Sequence, residues 1–121
     1  MPRVVHFEIP ADDLDRAVRF YRAALGWEIQ AWPGNPTYWL ATTGPDGEPG
    51  INGAVMQRMP EQGCTINSVN VPSPEEALKN IAEAGGKVLS PTMDIPGIGR
   101  FASCQDTEGN TLGVIEYQRP A

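Results

Sequence analysis

His6 and Glu8 stand two residues apart in the run Val4-Val5-His6-Phe7-Glu8-Ile9. In an extended strand that spacing puts both side chains on one face, about 7 Å apart along the chain, within reach of one small ligand. An imidazole and a carboxylate so placed have the ingredients of general acid–base chemistry, such as proton removal next to a carbonyl. A second reading stands beside it: His6 is a core histidine with one satisfied hydrogen bond, and Glu8 pairs with an arginine at a subunit interface. The two cysteines, Cys64 and Cys104, lie forty residues apart and form neither a metal knuckle nor a disulfide framework. Reduced thiols are expected, with a reactive Cys104 as the alternative.

The elements that would carry these residues come in a repeat. Phe7-Glu8-Ile9-Pro10, an acidic turn, an amphipathic run and Leu25-Gly26-Trp27-Glu28-Ile29 are echoed by Val69-Asn70-Val71-Pro72, Ser73, a second amphipathic run and Gly85-Gly86-Lys87-Val88-Leu89. Each copy buries one face of its sheet, so two must combine, and the seam between them is the natural place for a small-molecule pocket. The first strand, Val4 to Ile9, should stop at Pro10. A helix capped by Asp12 or Asp13 follows, with Leu14, Ala17, Val18, Tyr21 and Leu25 on its buried stripe, Asp12–Arg16 and Asp15–Arg19 as ion pairs, and Gly26 as its end. Trp27 to Trp32 and Thr37 to Thr42 form a hairpin around Pro33-Gly34-Asn35-Pro36, and Ile51 to Arg58 is the fourth strand.

The second copy opens with Thr65 to Val71. Ser73-Pro74-Glu75-Glu76 is a helix start with a capping box, and Ala77, Leu78 and Ile81 are its buried stripe. Strands at Lys87 to Ser90, Arg100 to Gln105 and Leu112 to Tyr117 complete it. Ser90 to Gly99 is expected to be an irregular loop, either a lid or a crossover packed on a partner subunit. The chain is thus one domain, residues 1–121, with module one at about 3–58, a linker at about 59–63 and module two at about 64–118.

Fifteen acidic against nine basic side chains give a net charge of −6, which argues against nucleic acid. No apolar run approaches the roughly 20 residues of a membrane span, and the first residues lack the apolar segment of a signal peptide. A cytoplasmic protein is expected.

The Phe7-Glu8-Ile9-Pro10-Ala11-Asp12-Asp13-Leu14 opening, Arg19-Phe20-Tyr21 before Leu25-Gly26-Trp27, Pro96-Gly97-Ile98-Gly99-Arg100-Phe101, and Asp106-x-Glu108-Gly109-Asn110 together resemble the vicinal oxygen chelate superfamily. That group includes glyoxalase I, bleomycin resistance proteins and extradiol dioxygenases, and the chain looks most like its small glyoxalase-related members. The resemblance implies an α+β fold in which two β-α-β-β-β modules form a cupped eight-stranded mixed sheet with helices on the outer face. It also implies four metal-ligand positions inside the cup. His6 matches the first. Ile66 stands at the second-module histidine position, Gly113 at the final glutamate position, and Ile51 to Arg58 contains no Asp, Glu or His. Glu116 alternates to the opposite face from Gly113 and Ile115. One imidazole does not make a catalytic metal site, so no cofactor is expected and glyoxalase I activity of the metal-dependent kind is not.

Alternation assigns the faces. Val5, Phe7 and Ile9 lie under the first helix, and Val69, Val71, Leu112 and Val114 under the second. His6 and Glu8 are the catalytic candidates; Tyr38, Met56, Ile66, Ser68, Asn70, Ile115 and Tyr117 are the ligand-binding candidates. Trp27, Trp32 and Trp39 pack the core unless one walls the ligand site. Three functions compete: a metal-independent lyase or isomerase acting next to a carbonyl, a sequestering protein of the bleomycin resistance type that takes a cationic planar guest, and a regulatory partner with a vestigial cup. A homodimer is expected in each, since edge strands need cover.

Overall fold

The computed structural model describes residues 2–59 and 64–118. The linker expected at 59–63 lies, apart from Met59, outside the described residues. In chain order the elements are β1 (Val4–Ala11), α1 (Leu14–Leu25), β2 (Glu28–Trp32), β3 (Asn35–Thr42), β4 (Gly53–Gln57), β5 (Ile66–Asn70), α2 (Pro74–Glu83), β6 (Lys87–Val88), β7 (Met93–Ile95), β8 (Gly99–Gln105) and β9 (Thr111–Tyr117). The α+β class and the repeated β-α-β-β-β order stand, with one short strand added. The chain divides into two compact units, His6–Thr65 and Met1–Val5 with Ile66–Ala121.

In the unit His6–Thr65 the strands run in the order β2-β3-β4-β1. β1 and β4 are parallel, with Glu8 opposite Ala54 and Pro10 opposite Met56. β3 pairs antiparallel with β4, placing Tyr38 opposite Met56 and Leu40 opposite Ala54. Contrary to expectation, β1 does not stop at Pro10. Ala11 still pairs with Gln57, and its carbonyl accepts the Arg58 N–H, so the missing proline donor does not end the ladder.

α1 begins at Asp13, whose side chain accepts the Arg16 N–H, and ends at Gly26 in the left-handed conformation with φ 71°. Asp12 sits before the helix and pairs with Arg58 at 2.7 Å, not with Arg16 as expected. The core under α1 is Ala11, Val18, Ile29, Ala41 and Val55, edged by Leu14, Ala17, Tyr21, Trp27 and Trp39. Full burial of a side chain such as Ile29 or Val55 contributes about 1.5–3 kcal/mol. Tyr21 stacks on Trp27 with ring centroids 5.0 Å apart, and Phe7 approaches the same indole at 5.8 Å. Leu25, expected on the buried stripe, is exposed on the final turn.

In the other unit the order is β5-β9-β8-β6, with β7 on β8. β5 and β9 are parallel, and β8 and β9 antiparallel. Ser73 caps α2 through the Glu76 N–H, and Pro74 takes the first helical turn. Beneath it lie Leu78, Ala102, Cys104 and Val114, joined by Val71, Ala77, Ile81 and Leu112. The segment expected to be an irregular loop is instead a hairpin: Met93, Asp94 and Ile95 pair with Phe101, Arg100 and Gly99. Alternating Met93 and Ile95 satisfy their backbone groups on β8, which the proline content of the segment obscured.

At Gly53 the chains come close, since a β-carbon there would collide with the Phe7 carbonyl and ring. Replacing Gly53 with Ala should lower unfolding free energy by about 1–3 kcal/mol, read as a lower urea midpoint at unchanged slope.

Candidate functional site

β1 presents His6 and Glu8 on the face away from α1, because Phe7 and Ala11 take the helix-facing side. β4 separates β1 from β3, and the β4 residue beside Glu8 is the buried Ala54. Tyr38, on β3, reaches across that row. Its hydroxyl donates to Glu8 Oε2 at 2.7 Å and lies 2.9 Å from His6 Nε2. Trp32 meets the Tyr38 ring edge-on at 5.4 Å and fixes its plane. The result is a continuous chain, imidazole to phenol to carboxylate, built from three strand positions of one unit.

The three groups are partly buried, and each uses the others to satisfy polar atoms removed from water. Burial pushes the proton affinity of His6 down, and the neighbouring Glu8 charge restores part of it. At neutral pH the imidazole is therefore uncharged, the form that accepts a proton. Met56, the other ligand-binding candidate in this unit, is half-buried beside Tyr38 in the pairing register.

The remaining candidates belong to the other unit and are not gathered into a comparable network. Ile66, Ser68 and Ile115 are 7%, 2% and 7% exposed. Asn70 is exposed, and its side-chain carbonyl accepts the Arg3 N–H at 3.3 Å. Tyr117, also exposed, borders a cleft of about 350 Å³ with Asp94, Ile95, Pro96, Arg100, Glu116 and Gln118. Arg100 is the hub there. It pairs with Glu75 of α2, donates to Glu116 at 3.1 Å and approaches Asp94 at 3.9 Å. Glu116 is thus engaged on the face opposite Gly113. The Arg100 hub went unseen in the sequence because it needs the β7–β8 hairpin.

The donors present among the described residues do not fit a divalent metal. Among the described residues no three His, Cys, Asp or Glu side chains converge. His6 spends Nε2 on Tyr38. At Gly113, the position where the resemblance implies a glutamate, the Phe101 ring and the Ser68 hydroxyl occupy the space a side chain would need. Cys104 is no nucleophile: it is buried under α2, and burial pushes its thiol up. Trp27 and Trp39 pack on the α1 core, Trp39 under the Arg22 guanidinium at 5.8 Å, while Trp32 alone of the three touches the His6 network.

Comparison with known proteins agrees with this architecture. Residues 3–44 match the family described as bleomycin resistance protein-like N-terminal. A glyoxylase-like domain-containing protein of Didymella fabae is 33% identical over 114 residues, covering 88% of each chain. Among solved structures, a glyoxalase/bleomycin resistance protein/dioxygenase superfamily member from Vibrio splendidus 12B01 superposes with a TM-score of 0.68 at 15% identity, over 98% of this chain and 100% of that one. Methylmalonyl-CoA epimerase from Mycobacterium tuberculosis gives 0.68 at 15% identity, over 96% and 88%. The chain belongs to the glyoxalase/bleomycin resistance/dioxygenase superfamily, the vicinal oxygen chelate proteins.

Proposed function

We propose that this protein binds a small organic carbonyl compound and catalyses proton transfer at the carbon next to the carbonyl, as a lyase or isomerase that uses His6 and Glu8 in place of a protein-held metal. The observation that carries the reading is the His6–Tyr38–Glu8 chain: a neutral imidazole hydrogen-bonded to a phenol that is itself held by a carboxylate. A purely structural role would be met more cheaply by apolar side chains on that face. The fold shared with methylmalonyl-CoA epimerase makes an acyl thioester or a related 2-substituted carbonyl acid the first class to try. In this reading Met56 and Trp32 border the reacting end. One domain of two modules, paired as a homodimer in the cytoplasm, completes the proposal.

The alternative is sequestration without chemistry. The match of residues 3–44 to the bleomycin resistance-like family and the net charge of −6 favour it, for a cationic guest.

Incubation of the purified protein with a panel of acyl thioesters and 2-oxo or 2-methyl acids in D2O separates the two. Deuterium entering next to the carbonyl, seen by proton NMR, is the expected result. Calorimetric binding with no exchange across the panel would select sequestration. Replacing His6 with Gln should reduce exchange by about 100-fold or more.

The pH dependence has a defined sign. Because the folded-state proton affinity of His6 lies below the ordinary value of 6.5, exchange should climb from acid pH and reach half its plateau below pH 6.5. Folding stability follows the same group. It is intact above 6.5 and declines as pH falls through the lowered folded value, because the unfolded chain takes up the proton first. In His6→Gln, stability measured by urea titration should lose that increment of acid sensitivity.

A further inference from the structure

The His6–Tyr38–Glu8 chain has a direction, and the direction identifies the atom that takes the proton. A phenol carries one hydrogen. Tyr38 gives it to Glu8 Oε2, so toward His6 its oxygen can only accept, and the hydrogen in that 2.9 Å contact must sit on Nε2. A neutral imidazole has one N–H, which leaves Nδ1 as a bare lone pair. Among the described residues of the unit His6–Thr65, the titratable groups linked to the imidazole are Tyr38, from β3, by a hydrogen bond, and Glu8, from its own strand, by its charge. The intervening β4 reads Gly-Ala-Val-Met-Gln and brings no charge.

We infer that Tyr38 is a positioning residue that commits His6 to the Nε2–H tautomer, making Nδ1 of His6, and not the Glu8 carboxylate, the proton-accepting atom. The inference rests on the acid–base reading above. In the step it describes, the substrate C–H bond breaks, its electron pair stays on the substrate as an enolate, and its proton forms a bond to Nδ1. The imidazolium then keeps Nε2–H directed at the phenol oxygen, with the Glu8 charge behind the phenol stabilising the cation. The proton returns from Nδ1 to carbon when the enolate collapses. No proton crosses Tyr38, so its hydroxyl orients and does not shuttle. Glu8 acts through Tyr38 as the anionic anchor.

His6 is the sole histidine of the chain, so its ring nitrogens can be read without ambiguity. Long-range proton–nitrogen correlation spectra of the 15N-labelled full-length protein, recorded without substrate at pH 7.5 or so, about one unit above the ordinary histidine value, should show Nε2 protonated and Nδ1 unprotonated. In Tyr38→Phe the two nitrogen shifts should move toward the average of exchanging tautomers. In Glu8→Gln, whose amide oxygen still accepts the phenol, the Nε2–H form should persist while the histidine titrates at lower pH than in wild type. An Nδ1–H signal in wild type, nitrogen shifts untouched by Tyr38→Phe, or a titration untouched by Glu8→Gln would each overturn the inference. The glutamine variant carries the test if the phenylalanine variant does not fold. These signals come from the resting protein, so a carbonyl panel without exchange defeats the acid–base reading while leaving the tautomer assignment to stand or fall by itself.

Discussion

The parallel pairing of β1 with β4 is the constraint on which the candidate site depends. It sets Glu8 beside Ala54 and puts one strand, and no more, between β1 and β3. Two strand spacings, about 9.5 Å, are then spanned by one tyrosine that runs diagonally from the Met56 row to the Ala54 row. A one-residue slip of β1 would turn His6 and Glu8 toward α1 and bring Phe7 to the opposite face. The aromatic packing of Phe7 and Tyr21 on Trp27 opposes that slip from the helix side. Polar network and hydrophobic core are therefore locked to the same register, one on each face.

The hydrogen-bond chain is worth more than its parts in a partly buried setting. Its hydrogen bonds compensate for water that the partly buried groups lose. In the proposed chemistry, a neutral imidazole held by such a chain is pre-oriented, so little reorganisation accompanies proton uptake. The Arg100 hub in the other unit is a contrasting design. Its carboxylate partners are substantially exposed, so its pairs fasten α2 to the sheet weakly and adaptably.

How much of this was legible in the sequence follows from which interactions are local. Helix caps at Asp13 and Ser73, the stop at Gly26, the buried stripe of α2 and the alternation of strand faces all depend on residues a few positions apart, and they stand. Asp12 was misassigned because a helix-face pairing rule was applied to a residue one position outside the helix, where Arg58 is nearer. The β7–β8 hairpin is hidden in the sequence because two prolines, Pro91 and Pro96, flank a three-residue strand. His6 and Glu8 could be paired from their spacing alone. Their connection through Tyr38 could not, because thirty or more residues separate the partners and the register of two strand pairs decides it.

The phenyl ring lodged over Gly113 has an evolutionary consequence. An acidic side chain placed there by one substitution would drive its first carbon into Phe101, so the order of change matters: Phe101 must give way before Gly113 can take a side chain. Such a lock works like a ratchet. Any path to a carboxylate at Gly113 runs through Phe101 first.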